Sequence, residues 1–121
     1  MRKTILIVED NDLNLKLFDD FLQAHGYHTL KNKDGVSAVV MAEKFQPDLI
    51  LMDIKLPKIS GFKVFRMIKS LDKTRNIPII AATAMAMEGD KRKILEYGFD
   101  GYIAKPMSLG LLLETIQHFL D

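Results

Sequence analysis

Short apolar runs alternate along this chain with longer segments of helical periodicity, and this alternation constrains the fold more than any other feature. The strongest runs, rich in β-branched residues, are nearly continuously apolar, which is typical of strands covered on both faces. The sequence therefore predicts five buried strands, three from strong runs and two from weaker ones, at residues 4–8, 48–52 and 77–82, and at 27–30 and 101–104.

Apolar residues between these runs recur at the spacing of one helix face, which predicts five helices. Their predicted inner stripes are Leu17, Phe18, Phe21 and Leu22; Val36, Val39 and Val40; Val64, Ile68 and Leu71; Met87, Ile94 and Leu95; and Leu109, Leu112, Leu113, Ile116 and Leu120. Residue types that favour helix ends support these limits. The predicted N-caps are Asp12, Asp34, Ser60 and Ser108, and the predicted C-terminal glycines are Gly26 and Gly98.

The β-α unit thus recurs five times, which predicts an α/β fold with a doubly wound, five-stranded parallel sheet between two helical layers. A length of 121 residues predicts a single domain over residues 1–121. In open sheets of this kind, ligands bind outside the carboxyl ends of the strands. That edge is where functional residues are expected.

Polar side chains follow four of the predicted strands at this edge. They are Glu9 and Asp10, then Asp53, Thr83 and Lys105. Three converging carboxylates repel one another, so a compensating positive charge is required. Lys105 supplies one, and an all-oxygen site with no nearby His or Cys suits a hard divalent ion such as Mg²⁺.

A carboxylate at such a site can act as a nucleophile toward phosphorus and become an aspartyl phosphate. Transfer of a phosphoryl group requires in-line positioning and neutralisation of oxygen charge, which Mg²⁺ and Lys105 could provide. The Thr83 hydroxyl could donate to a phosphoryl oxygen. Each residue alone is better explained as an ordinary cap, core or surface residue. Their coincidence at four strand ends favours the functional interpretation.

Composition excludes several other classes of protein. The net charge of +1 lacks the basic excess of a nucleic-acid binder, and the absence of cysteine excludes disulfides and thiolate chemistry. The N-terminus lacks the features of a signal peptide. The longest nearly apolar stretch, residues 77–87, is shorter than the ~20 residues of a membrane-spanning helix. We therefore expect a cytoplasmic protein without membrane or nucleic-acid partners.

In this order, the residues resemble the receiver domain of bacterial two-component response regulators over essentially the whole chain. The motifs that carry the resemblance are Glu9-Asp10, residues 48–57, Ser60-Gly61, Thr83-Ala84 and residues 102–106. The resemblance implies the flavodoxin-like strand order 2-1-3-4-5. It also implies that the protein is a signalling switch, not an enzyme with a separate substrate, although it catalyses its own phosphorylation.

The resemblance assigns a role to each residue at the predicted edge. Asp53 would be the phosphoacceptor. Asp10, Asp53 and the backbone carbonyl of Lys55 would bind Mg²⁺, and Glu9 would hold a metal-bound water. Lys105 would pair with the phosphoryl group, or with Asp53 before transfer.

The family switches through a coupled pair of residues, which here are Thr83 and Tyr102. On phosphorylation Thr83 would move toward the phosphoryl group and Tyr102 would turn inward behind it. Tyr102 is equally compatible with an ordinary half-buried strand tyrosine. Lys55 and Met85 could shield the phosphoryl group from water. The bond before Pro106 is expected to be cis by the same resemblance.

The implied phosphoryl donors are a sensor histidine kinase, a histidine phosphotransfer protein, or both. The donor would dock beside the first helix, near Asn14 and Leu17, although most of Leu13, Leu15 and Leu17 are expected in the core. The chain ends after the last predicted helix with no room for an output domain, so we expect it to signal to a downstream effector by protein contact. We also expect a monomer. Residues 9–17 and 83–90 resemble DivK-type single-domain regulators, which act in cell-cycle control.

Three alternatives stay open at this point. An Mg²⁺-dependent phosphatase with an Asp nucleophile, similar to the haloacid dehalogenases, would carry a second Asp where this chain has Lys55. A receiver-like binding module that works without phosphorylation would not need the complete set of site residues. A flavodoxin-like cofactor binder would carry a Gly-rich loop after the first strand, where this chain has Asp10-Asn11-Asp12.

Overall fold

The structure, a computed structural model, describes residues 2–84, 88–105 and 108–121. Within these residues five strands alternate with five helices. In chain order they are β1 (Thr4–Val8), α1 (Asp12–Ala24), β2 (His28–Asn32), α2 (Ala38–Phe45), β3 (Leu49–Met52), α3 (Gly61–Lys69), β4 (Ile79–Thr83), α4 (Glu88–Tyr97), β5 (Gly101–Ala104) and α5 (Leu109–Leu120). The strands pair in parallel in the order β2-β1-β3-β4-β5. The predicted fold class and strand order are confirmed.

Helices cover both faces of the sheet because successive strand side chains point to opposite sides. One face, which we call the α2–α3–α4 face, is packed by helix residues Ala38, Ala42, Val64, Phe65, Ile68 and Ile94. The other, the α1–α5 face, is packed by Leu15, Phe18, Leu22, Leu112 and Ile116. Two buried layers against a central sheet explain why β1, β3 and β4 are apolar along almost their whole length. The edge strand β2 was also predicted to be buried, but most of its residues are exposed or half-buried because only one neighbouring strand covers it. No helix in the described part of the chain is long and apolar enough to cross a bilayer.

The predicted inner stripe of α2 is wrong. Val36 and Val40 are 53% and 63% exposed, and Val39 is only half-buried, whereas Ala38 and Ala42 are fully buried. Valine and alanine stripes both have helical spacing here, so periodicity alone could not choose between them. The small Ala side chains lie in the core, Val39 packs against its edge, and Val36 and Val40 are exposed.

The stripe of α1 is partly wrong. Phe18 and Leu22 are buried as predicted, and Leu15 joins them, but Leu17 is 47% exposed. Leu13 is 80% exposed, so only Leu15 of the three leucines Leu13, Leu15 and Leu17 is buried, where most of them were expected in the core. Since Leu13 and Leu17 are four residues apart, they lie on one face of α1 that the rest of the described chain does not cover.

The other three helices follow their predicted stripes more closely. Leu112 and Ile116 form the buried centre of the α5 stripe. Leu71 lies beyond the end of α3, and Leu95 on α4 is largely exposed although its neighbour Ile94 is buried. Met87, the remaining predicted member of the α4 stripe, lies outside the described residues.

Two predicted helix caps shift by a few residues. The N-cap of α1 is Asn11, whose side-chain oxygen accepts the Asn14 amide at 3.0 Å, and Asp12 lies in the first turn. The residue before α2 is Ser37, and Asp34 instead accepts the Ser37 amide at 3.1 Å. Predictions at four other helix ends are confirmed: the N-caps Ser60 and Ser108 and the positive-φ glycines Gly26 and Gly98.

Asp19 on α1 makes three side-chain contacts, two of which connect the helix to β2. Its carboxylate accepts hydrogen bonds from Thr29 Oγ1 at 2.5 Å and Gln23 Nε2 at 2.8 Å, and Lys31 Nζ lies 3.3 Å away. Burial by itself raises the pKa of Asp19. The hydrogen bonds from Thr29, Gln23 and Lys31 outweigh burial, so the pKa of Asp19 lies below its ordinary value.

We expect Asp19 to make the fold acid-sensitive. Because its pKa is lower in the folded chain than in the unfolded chain, its stabilising contribution is complete above the unfolded value of 3.8 and is lost as the pH falls through the folded value. Urea unfolding at a series of pH values should show a shallower acid loss of stability for Asp19→Asn than for the wild type. Thr29→Val, which removes one hydrogen bond to Asp19, should also make the acid loss of stability shallower than in the wild type. Equal slopes for all three proteins would contradict this role.

Candidate functional site

The backbone brings Glu9 and Asp53 together because β1 and β3 are neighbours in register. Val8 pairs with Met52, so the residues that follow both strands emerge side by side at the carboxyl edge. The Asp53 amide donates to the Val8 carbonyl at 2.9 Å, and the Glu9 amide donates to the Asn32 carbonyl at 2.9 Å. Both acidic residues are therefore held by sheet hydrogen bonds that continue past the strand ends.

Glu9, Asp10 and Asp53 form the predicted acidic cluster. One carboxylate oxygen from each of the three lies within 4.8 Å of the others. Glu9 and Asp53 are buried, and Asp10 is the most open of the three. Clustered carboxylate oxygens with one open side suit Mg²⁺, which keeps several waters and takes one or two protein carboxylates. The donor set fits the predicted ion.

Lys105 is the positive charge of the cluster. Its ammonium contacts Asp53 Oδ2 at 3.0 Å and also forms an ion pair with Glu9 Oε1. The Lys105 amide donates to the Thr83 carbonyl at 2.8 Å, which extends the pairing of β4 and β5 by one residue. The Asp53 contact was predicted. The Glu9 contact was not, because β1 and β5 are separated by two strands and no local pattern indicates which distant carboxylate a long lysine reaches.

Burial and the ion pair between Glu9 and Lys105 shift the pKa values of these two groups in opposite directions. Burial raises the pKa of Glu9, and the nearby charge of Asp53 adds to this, so the pKa stays raised although Lys105 and the Asn11 amide both favour the charged form. Burial lowers the pKa of Lys105, but hydrogen bonds and charges from Glu9 and Asp53 outweigh it and raise the pKa above its ordinary value. Lys105 is therefore a firmly protonated cation at neutral pH.

The backbone after Asp53 turns back toward its own side chain. The Lys55 amide donates to Asp53 Oδ1 at 3.0 Å, and the Gly61 amide donates to the Ile54 carbonyl at 2.7 Å. Residues 54–60, which we call the β3–α3 loop, are thus joined to Asp53 at one end and to the start of α3 at the other. The Lys55 side chain is exposed, and its backbone lies beside the Asp53 carboxylate.

Thr83 and Tyr102 lie on the same face of the sheet. Thr83 ends β4 opposite Ala104, and Tyr102 on β5 pairs with Ala81, two residues earlier along the same side. Thr83 is fully buried, and Tyr102 is half-buried against the core of the α2–α3–α4 face. This placement is compatible with the predicted coupling. Two further predictions, shielding by Met85 and a cis bond before Pro106, lie outside the described residues.

A family model described as the response regulator receiver domain matches residues 5–117 of this chain. The chain belongs to the response regulator receiver family. This membership favours the signalling interpretation over the phosphatase and the flavodoxin-like cofactor binder that the sequence left open. The protein is accordingly a response regulator of a two-component system, in which phosphorylation carries the signal.

The relatives support the same conclusion along nearly the full length. The polar-differentiation response regulator DivK of Brucella anthropi is 48% identical over 120 residues, which are 99% of this chain and 98% of that protein. The receiver domain of the sensor histidine kinase PA1611 from Pseudomonas aeruginosa, solved with a magnesium ion in its active-site cleft, is 37% identical with a TM-score of 0.90 and 98% of each chain covered. The chemotaxis response regulator CheY4 of Vibrio cholerae is 25% identical with a TM-score of 0.90, covering 98% of this chain and 99% of that one.

Proposed function

We propose that this receiver accepts a phosphoryl group on Asp53 from a phosphohistidine donor, in an Mg²⁺-dependent reaction, and signals through changed protein contacts. The observation that carries the proposal is the Asp53 carboxylate itself. It is buried among two other acidic side chains, and the Lys105 ammonium lies 3.0 Å from one of its oxygens. Such a group is positioned to react with an electrophilic phosphorus and to have the resulting charge compensated.

Asp10, Asp53 and the Lys55 carbonyl would hold Mg²⁺ directly, and Glu9 would hold it through a water. The acidic cluster and the magnesium-bound neighbour from Pseudomonas aeruginosa support this assignment. Bound Mg²⁺ supplies positive charge for the carboxylates and for phosphoryl oxygens. The Glu9–Lys105 ion pair keeps the lysine next to Asp53.

In the transfer step, an oxygen of Asp53 forms the new O–P bond while the N–P bond to the donor imidazole breaks. The electron pair of the broken bond stays on the imidazole nitrogen, so no oxidant or reductant is needed. Lys105 neutralises charge on the phosphoryl oxygens, and the Thr83 hydroxyl donates a hydrogen bond to one of them. The product is an acyl phosphate on Asp53.

The structural response would pass from Thr83 to Tyr102, which share one face of the sheet. Movement of the Thr83 hydroxyl toward the phosphoryl group leaves space behind it, and Tyr102 turns inward to fill that space. The surface formed by α4, β5 and α5 then differs between the two states. A downstream effector protein would bind this surface and distinguish the two states.

The donor, a sensor histidine kinase or a histidine phosphotransfer protein, would dock on α1. Leu13 and Leu17 offer it an apolar face directly after the acidic residues of the site. The similarity to the polar-differentiation regulators of Brucella supports a role in cell-cycle or cell-fate control. We also propose that the protein acts in the cytoplasm as a monomer. Its net charge of +1 supports a role that does not involve nucleic acid.

Incubating the purified protein with acetyl phosphate and Mg²⁺ tests the proposal. Intact-protein mass spectrometry should show the addition of one phosphoryl group, and chelation of Mg²⁺ should abolish it. Steady release of phosphate from a small phosphate ester, with no modified protein, would instead support the phosphatase alternative. Binding of effector that is equal with and without the modification would support the phosphorylation-independent module.

A further inference from the structure

Asn32 lies behind the site at the end of β2 and is buried. Its backbone carbonyl accepts the Glu9 amide at 2.9 Å, and its register partner on β1 is Val8. Asn32 thereby holds the backbone from which one of the three clustered carboxylates projects. Asn32 lies beyond the predicted end of this strand at residue 30, and no local pattern indicates a role for it.

The Asn32 side chain closes the turn that follows β2. Its oxygen accepts the Gly35 amide at 2.7 Å, and its nitrogen donates to Ser37 Oγ at 2.8 Å and approaches Met41 Sδ at 3.4 Å. Both the oxygen and the nitrogen of the buried Asn32 side-chain amide therefore have hydrogen-bond partners, which lie in this turn and just before α2. Local side-chain bonds of this kind hold a turn in a single conformation.

The β3–α3 loop rests directly on this turn. Gly35 has a φ of +77°, and a Cβ placed there would lie 2.7 Å from Leu56 Cδ1 and 3.0 Å from Ile59 Cγ2. The two loops are thus in contact with no room for a side chain between them. A shift of Gly35 toward that loop would press on the side chains of Leu56 and Ile59, and close-packed groups pass such a displacement on to their neighbours.

That loop carries the backbone of residue 55, whose amide is bonded to Asp53 Oδ1. Asn32 therefore supports the site from two sides, through its carbonyl to Glu9 and through Gly35 to the backbone beside Asp53. It reaches both through backbone or packing contacts and is not itself among the clustered carboxylates.

We propose that Asn32 is a positioning residue for the Mg²⁺ site. It fixes the positions of Glu9 and the β3–α3 loop and thereby sets the affinity of the site for Mg²⁺. The proposal rests on the proposed function in that it takes the acidic cluster to bind Mg²⁺. Residues that orient metal ligands through hydrogen bonds typically change metal affinity 10- to 100-fold when they are replaced.

The test is Mg²⁺ binding by isothermal titration calorimetry on the full chain. Asn32→Ala removes the side-chain amide and keeps the backbone carbonyl that accepts from Glu9, so it tests the route through Gly35. It should raise the Kd for Mg²⁺ by about tenfold. Ser37→Ala removes the hydroxyl that accepts from that side-chain amide and that also donates to Asp34 Oδ1 at 3.2 Å. Because it leaves the bond between Asn32 and Gly35 in place, it should raise the Kd by only about threefold. In the metal-free proteins, NMR amide shifts of residues 54–60 should change in both variants.

Thr74→Val is the matched control. Thr74 is fully buried, its hydroxyl donates to the Ile68 carbonyl at 2.5 Å, and it precedes β4 at the edge of the sheet opposite the site. Its loss lowers stability without touching the turn, so the Kd for Mg²⁺ should stay within about twofold of wild type. An equal loss of affinity in Thr74→Val would show that general destabilisation explains the effect.

Wild-type affinity in both Asn32→Ala and Ser37→Ala would overturn the positioning role and leave the proposed function intact. Asp53→Asn, titrated in parallel, separates the two claims. If wild type and Asp53→Asn bound Mg²⁺ equally, the metal would lie elsewhere, and the proposed site and the role of Asn32 would fail together.

Discussion

Asp53→Asn protein is expected to incorporate no phosphoryl group from acetyl phosphate and Mg²⁺, a loss of at least ~100-fold relative to wild type. The amide is neutral and cannot form the acyl phosphate, while its size preserves the packing around the strand end. Intact-protein mass spectrometry over a time course measures the effect. Circular dichroism should show unchanged secondary structure, because the Asp53 backbone bond to Val8 and the Lys105–Glu9 ion pair are retained.

Asp72→Asn serves as the matched control for this loss. Asp72 is an exposed aspartate after α3, with only a surface contact to Arg75, and its replacement should leave labelling at the wild-type rate. Labelling of Asp53→Asn at a comparable rate would show that another side chain accepts the phosphoryl group. Equal losses in both variants would show that the assay responds to something other than the proposed acceptor.

Gly61→Ala is expected to lower the free energy of unfolding by about 2–3 kcal/mol, the cost typical of overpacking a tight core position. A Cβ at Gly61 would lie 2.6 Å from the Asp53 carbonyl oxygen and 2.7 Å from Ile54 Cα. Both neighbours are backbone atoms and cannot rotate away, so α3 or the segment after β3 must shift. Thermal unfolding should show a Tm lower by about 10 °C.

Gly89→Ala is the control with the opposite expected sign. Gly89 is an exposed residue in the first turn of α4, and a Cβ there would meet nothing within 4 Å. Alanine favours a helix by up to about 1 kcal/mol over glycine, so this variant should be as stable as wild type or more stable. The close-approach explanation of Gly61 would be wrong if the two substitutions changed the free energy of unfolding equally.

Gly61→Ala should also impair phosphorylation in the fraction that remains folded. The Asp53 carbonyl and the Ile54 backbone are the atoms that a Cβ would displace if α3 stays in place. They precede the Lys55 amide, which is bonded to the Asp53 carboxylate. A slower labelling rate under conditions where circular dichroism shows a folded protein would connect the stability of this turn with the geometry of the site. Wild-type labelling would show that the shift is taken up by α3.

Much of this protein could be predicted from local patterns. Apolar runs with β-branched residues located the strands, and the alternation with helical segments indicated a parallel sheet. The rule that ligands bind at the carboxyl edge then brought Glu9, Asp10, Asp53 and Lys105 into one site before any distance was known. These inferences succeeded because strand ends in a parallel sheet meet at one edge whatever the details of packing. The strand order itself came from the family resemblance.

Other features depended on contacts between segments far apart in the chain. The alanine and valine stripes of α2 have equivalent spacing, and only packing against the sheet decided that Ala38 and Ala42 face inward. Leu13 and Leu17 follow a helical period, yet they lie on a side of α1 that the described chain leaves open.

The sequence by itself determined the order of elements and the chemical groups at the carboxyl edge, because both follow from periods of a few residues and from strand direction. Only the tertiary structure decided that Lys105 pairs with Glu9 as well as Asp53, and that Gly35, bonded to the Asn32 side chain, lies against the β3–α3 loop. The physical reason is that hydrogen bonds and close packing act over a few ångströms in space. They join residues that are far apart in the chain, such as Glu9 and Lys105, which are 96 positions apart, and a local pattern carries no information about such partners.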